Sequence, residues 1–297
     1  MYTQVFGNYL LNTGMVTTEQ LLSAISTQSS ARVNLGTLAI HKGYMTASEA
    51  ERIFILQTHQ DKRFGELAVE EGYLTSEQVT ELLQSQVPGY VLLGQVLIDQ
   101  GVVSATQMQN IVTDYCSEFE IDDLEEYEEQ SDLVHHLLTD IDSEEEDTKE
   151  YINEYLLLLF NNLIRFIGDD FTPLNVIKIP EVPTERCTSQ SLDCPAFHVE
   201  SALNMESATA VEFASRYAQD QFTEFDDYVR ASMEDFLNLH NGLFVVNMSN
   251  DFSLEVTLDP PVTQDDSLFS LGESTYIFPI MFPFGIVHFI CSVHSNE

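Results

Sequence analysis

The sequence predicts an α+β protein in two parts, an all-helical array first and then a domain of long helices over an antiparallel sheet. Three observations carry this. Glycines recur at a 29-residue interval over the first third of the chain. Between residues 117 and 149 the composition turns abruptly acidic. Beyond that, segments with apolar residues at helical spacing alternate with short strand-like runs bounded by turn residues.

The repeats come first. Gly7, Gly36, Gly65 and Gly94 stand 29 residues apart, and Gly14, Gly43, Gly72 and Gly101 keep the same interval. Three positions after each of the second set comes Thr17, Thr46, Thr75 or Ser104, a hydroxyl residue suited to cap a helix. Glu19, Glu49 and Glu77 follow, where a carboxylate suits the positive helix end. Each unit therefore reads as a short helix, a glycine-ended turn and a capped second helix. One unit cannot bury its apolar face alone, so four stack, and residues 1–116 are assigned to one array of four repeats.

The runs "FGNYLLNTG", "LGTLAIHKG", "FGELAVEEG" and "LGQVLIDQG" resemble units in the N-terminal domains of type II secretion and pilus ATPases, over residues 4–115. A version of that unit binds cyclic di-GMP. Here only the third repeat keeps the arginine, Arg63, together with Gly65, Gly72 and Gln86. Val5, Asn34 and Leu92 stand in the other arginine positions. Packing alone explains glycines and leucines at this period, so the expectation is a structural or protein-contact array that binds the dinucleotide weakly or not at all.

Composition narrows the function classes. The chain is 44% hydrophobic, and 49 acidic against 11 basic residues give a formal charge of −38. That field repels phosphate backbones and anionic lipid, which argues against nucleic-acid and membrane partners. "MYTQVFGNYLLNTG" lacks the basic leader and apolar core of a signal peptide. The most apolar run, 275–293, is broken by Pro279, Pro283 and Gly285 and reads as two buried strands around a turn. Cys116, Cys187, Cys194 and Cys291 lack C-x-x-C spacing, which fits buried thiols in a reducing cytosol. A cytoplasmic, bacterial-type protein is expected.

The acidic stretch, 117–149, repels itself and is assigned as a linker. His135 and His136 within it are adjacent, point to different sides of any helix and have no ligand cluster around them, so a solvated face is expected rather than a metal site. After the linker, residues 150–297 form the α+β domain. "KEYINEYLLLLFNNLIRFIG" reads as one long buried helix. "NVIKI", "ERCTSQSL" and "AFHVESALNM" read as strands, the last two joined by a "DCP" turn. "ESATAVEFASRYAQDQF" has helical spacing. The next helix is expected over 223–242, capped by Thr223 and ended by Gly242. "LFVVNMS", "SLEVTL", "TYIFPI" and "GIVHFIC" then read as strands.

On that last helix Phe225, Val229, Ser232, Phe236 and Leu239 share one stripe, the expected buried face. Asp235 and Asn238 fall on the flank away from it, about 60° apart at 100° per residue. They are side chains the core does not need, and they are the candidate site. Asn241 is expected at the helix end, and Asn247 and Asn250 beside a strand turn at "SND". No catalytic pairing of carboxylates, Gly-rich phosphate loop or nucleophile elbow is present.

The run "DFLNLHNG", followed by "LFVVNMSN" and "LEVTLDPPV", resembles the E-x-x-N-x-x-x-G helix and succeeding strands of the CheX/CheC class of chemotaxis phosphatases, over residues 150–295. The resemblance implies a CheX-like α+β domain whose motif helix docks on a phosphorylated response-regulator receiver of the CheY type. It implies that Asp235 pairs with a receiver lysine and that the Asn238 amide reaches the phosphoaspartate and orients the attacking water. No cofactor is expected in the chain itself, Mg2+ being supplied by the receiver, and a homodimer is left open. Where the family has glutamate, this chain has Asp235, shorter by one methylene. Glu234 is adjacent but rotated by about 100°. A phosphatase with the repeats as a targeting or sensory module is therefore expected first. A non-catalytic receiver-binding adaptor and a cyclic-dinucleotide sensor are the alternatives.

Overall fold

Backbone handedness and close packing select the two glycine sets for different reasons. The structure is a computed structural model that describes residues 2–28, 31–85, 87–118, 146–179, 181–270 and 275–295. It comprises two units, Tyr2–Tyr127 and Glu128–Glu297. Gln86, His135, His136 and most of the expected linker lie outside the described residues.

In the first unit each interval carries a helix pair: α1 (Tyr2–Asn12) and α2 (Thr18–Gln28), α3 (Leu35–His41) and α4 (Ala47–Gln57), α5 (Phe64–Glu70) and α6 (Ser76–Gln84), α7 (Gly89–Asp99) and α8 (Ala105–Glu118). Between the members of each pair Gly14, Gly43, Gly72 or Gly101 has φ of +68° to +76°, with nothing within 4 Å of an added Cβ. Conformation, not space, requires glycine there. Gly65 and Gly94 sit inside helices instead. A Cβ on Gly65 would stand 3.1 Å from Leu35 and Val79, and one on Gly94 3.1 Å from Met108 Sδ, so their absence lets helices approach.

Each second helix opens on a reciprocal cap, in which Thr17, Thr46, Thr75 and Ser104 exchange bonds with Gln20, Glu49, Gln78 and Gln107. The partner is always the third residue of the helix. Glu49 alone of the three expected glutamates closes a box. Leu38, Ile53, Phe64, Leu67 and Leu74 form one buried cluster, and Phe6 packs edge-on against Tyr90 and Tyr115 at 5.6 and 5.0 Å.

Among the described residues, the second unit begins with α9 (Glu146–Phe166), whose first residues belong to the stretch expected as linker. Among the described residues eight strands follow: β1 (Thr172–Pro173), β2 (Ile177–Lys178), β3 (Glu181–Asp193), β4 (Phe197–Met205), β5 (Thr257–Leu258), β6 (Val262–Ser270), β7 (Thr275–Phe282) and β8 (Gly285–Ser295). They pair antiparallel in the order β1-β7-β8-β4-β3-β5, with β2 also on β7 and β6 on β3. α10 (Ser207–Ala218) and α11 (Asp227–Phe252) lie between β4 and β5 in sequence. With α9 they share one core with the sheet, where Leu159, Phe213, Phe236 and Phe244 meet Val199, Leu203, Phe278 and Phe289.

Four sequence expectations change here. The expected strand "NVIKI" shrinks to Ile177–Lys178 and "SLEVTL" to Thr257–Leu258. The helix expected over 223–242 is instead α11, and "LFVVNMS" is its last turns, not a strand. It starts later because the Asp226 carboxylate accepts from both Tyr228 N and Val229 N at 3.0 Å, leaving Thr223 outside. It runs on because Phe244 and Met248 continue the buried line from His240 at i+4 spacing. Burial of that line outweighs the β propensity of its valines and the glycine at 242. The helix ends at Ser253, φ +56°, where Leu254 N bonds back to Met248 O at 3.2 Å.

Candidate functional site

α11 places Asp235 and Asn238 on its outer flank because its inner line is fully committed. Val229, Met233, Phe236, Leu237, His240, Asn241, Phe244 and Met248 are the buried residues. Ser232 and Leu239, expected in that line, are only partly buried, and Phe225 precedes the helix. Asp235 and Asn238 are both exposed, three residues and therefore about one turn apart.

Each is nonetheless held. Asp235 Oδ2 accepts from Tyr217 OH at 2.7 Å, across from α10. The Tyr217 ring is fixed edge-on against Phe236, 5.6 Å between centroids. Burial first, and then the hydrogen bond and charge of Asp235, push the Tyr217 phenol well above its usual range, so it stays a donor. Asn238 Oδ1 accepts from Gln190 Nε2 at 2.8 Å, from β3 beneath. Glu234, the neighbouring acid, is committed elsewhere: it accepts from Thr263 Oγ1 at 2.7 Å and ties β6 to the helix. Glu234 is thus turned to the sheet and Asp235 to α10.

Beneath Asn238 lies a polar cluster that sequence reasoning missed. Gln190, Ser201 and Asn241 are buried. Asn241 Nδ2 donates to Gln190 Oε1 at 2.9 Å and to Ser201 Oγ at 3.1 Å, and Tyr155 OH donates to Asn241 Oδ1. Asn241 is thus no helix-end residue, as its place before Gly242 had implied, but the centre of a network joining α9, α11, β3 and β4. Asn247 and Asn250 likewise fall within α11. A signal was present: Gln190 and Ser201 interrupt strand runs whose alternate neighbours, Leu192, Val199 and Leu203, are buried apolar residues. Nothing in the sequence says that the two are cross-strand partners, as the register makes them.

His240 is buried beside this network. Asn162 Nδ2 lies 3.2 Å from its Nδ1, its ring meets Tyr155 edge-on at 4.5 Å, and Nε2 has no hydrogen-bond partner among the described residues. Burial pulls its pKa down to about 3, so the imidazole is neutral. The Phe225 ring lies 4.8 and 5.5 Å from the guanidinium groups of Arg186 and Arg230, and both arginines pair with Asp265.

In the first unit Arg63 is exposed and its backbone N–H donates to Glu66 Oε2 at 3.0 Å. Among the described residues no group of three or more His, Cys, Asp or Glu is placed to hold a metal, and no helix is long and apolar enough to cross a membrane.

No family model matches the chain, and no curated protein matches it. Solved structures do. A CheX from Borrelia burgdorferi, in a CheX-CheY-BeF3-Mg2+ complex, is similar over 48% of this chain and 97% of its own, at 17% identity and a TM-score of 0.43. A CheC-like protein from a Shewanella species is similar over 48% and 97%, at 14% identity and 0.43. The chemotaxis protein CheX from Vibrio vulnificus is similar over 49% of this chain and 99% of its own, at 11% identity and 0.43.

Proposed function

We propose that the second unit is a phosphatase for phosphorylated CheY-type receivers, with α11 as the docking helix. The carrying observation is the flank of α11. Asp235 and Asn238 are exposed on it one turn apart, and each is anchored through one atom by the fold. Among the described residues this leaves Asp235 Oδ1 and Asn238 Nδ2 for a partner. Asp235 then meets a receiver lysine and Asn238 holds water in line with the phosphoryl group. The water oxygen attacks phosphorus, the P–O bond to the receiver aspartate breaks, the carboxylate leaves, and the water proton goes to the released phosphate. The acyl phosphate is already activated, so positioning supplies the acceleration without a strong base. An amide suits this because it donates without adding charge beside the phosphoryl oxygens. Mg2+ belongs to the receiver in this scheme, and the helical repeats of the first unit target or regulate the enzyme.

A second reading keeps the docking and drops the hydrolysis. It is favoured by Asp235 being short and drawn toward α10 by Tyr217, which reduces its reach into a partner. The test common to both is calorimetry with a CheY-type receiver of the same genome, loaded with beryllofluoride as the phosphoryl mimic. Wild type should bind, and Asp235→Ala should bind about tenfold or more weakly with an unchanged melting temperature, as expected on losing one partner of an interfacial charge pair. If no receiver of that genome binds, both readings fail.

A further inference from the structure

The geometry points to Gln190 as the positioning residue for Asn238, acting through a buried amide relay whose direction is set by a backbone carbonyl. The inference rests on the phosphatase reading of Asn238 and adds what makes that side chain usable.

Gln190 Nε2 carries two protons. One goes to the Asp259 carbonyl at 2.7 Å and the other to Asn238 Oδ1 at 2.8 Å. A peptide carbonyl only accepts, so it decides which end of the Gln190 amide faces it. Oε1 is thereby turned to Asn241 Nδ2, 2.9 Å away. The second Asn241 Nδ2 proton goes to Ser201 Oγ at 3.1 Å, and Asn241 Oδ1 accepts from Tyr155 OH. Ser201 Oγ in turn donates to Gln190 O at 3.3 Å.

Reversing any one of these amides would set donor against donor or acceptor against acceptor. Gln190 is 3% exposed and Asn241 0%, so water cannot repair such a mismatch. The order fixed in the interior therefore reaches the surface: Asn238 keeps its oxygen toward β3 and its Nδ2 protons outward. An asparagine without this contact samples several χ1 wells and both amide orientations. A water-orienting group needs one of them.

The test uses the full chain and two readouts. Nuclear magnetic resonance of the Asn238 side-chain amide, assigned by its loss in Asn238→Ala, should give a wild-type order parameter near that of rigid backbone, about 0.85, and below about 0.6 in Gln190→Met. A wild-type value already below about 0.6 overturns the inference even if Gln190→Met fails to fold, and so does an unchanged value in a folded Gln190→Met. This arm needs no catalysis, so its failure is separable from failure of the phosphatase reading. In the second arm Gln190→Met should lower kcat for receiver dephosphorylation by about 10- to 100-fold with little change in KM. Placed in an Asn238→Ala background, it should lower the rate no further while still lowering the melting temperature. An equal loss of rate in both backgrounds would assign Gln190 a merely structural role.

Discussion

Asn241 and Asn238 are one helical turn apart, and their removal should have unlike consequences. Asn241→Leu removes the amide that the Tyr155 hydroxyl, Gln190 Oε1 and the Ser201 hydroxyl share in the interior. It should destabilise the fold by about 3 kcal/mol, read from denaturant unfolding. Asn238→Ala removes only one acceptor at a position water reaches, and should cost at most about 1 kcal/mol. His240 supplies a pH-dependent counterpart. Its folded pKa of about 3 lies below the unfolded value of 6.5, so the unfolded chain binds the extra proton. Its contribution is complete above pH 6.5 and is lost as pH falls from there toward about 3. Against a His240→Gln control, wild-type stability should fall over that window, with a slope of up to about 1.4 kcal/mol per pH unit. A constant difference between the two proteins would show that the imidazole is not held neutral. Asp235 and Asn238 were legible as residues the core does not use. The relay was not, because Gln190 and Asn241 lie 51 residues apart in sequence and meet only through strand register.

At the scale of elements, two glycines should respond to the same substitution with opposite signs. Gly242 lies inside α11 with nothing within 4 Å of an added Cβ. Gly242→Ala should therefore stabilise by about 0.5–1 kcal/mol through helix propensity and the unfolded chain. Gly72 has equal room but φ of +76°, and Gly72→Ala should destabilise by about 1 kcal/mol. Melting of both variants decides the point, since destabilisation by Gly242→Ala would place a helix end at 242. The hydroxyl caps were readable because a cap is a local device spanning four residues. The length of α11 was not readable locally. "GLFVV" has the composition of a strand, and only its burial against α9 and the sheet, through Phe244 and Met248, keeps it helical.

For the molecule as a whole, the division into two units makes the repeats separable. A fragment of residues 1–116 should be soluble, show a helical circular dichroism spectrum and melt cooperatively, because the helix pairs bury their apolar faces on one another. A broad, non-cooperative melt would mean that the four repeats do not form a self-sufficient array. Helix and sheet content in each part followed from periodicity. The sheet order did not, since β7 and β8 come last in sequence yet pair with β1 and β4. The central claim is that Asn238 turns a docked receiver over. Its most direct measurement is the single-turnover loss of phosphoryl label from a CheY-type receiver of the same genome, mixed with saturating wild type or Asn238→Ala. Wild type should speed release well beyond the receiver alone, and Asn238→Ala should lose about 10²-fold of that rate while still binding. Equal release by wild type, by Asn238→Ala and by the receiver alone, with binding intact, would contradict the account.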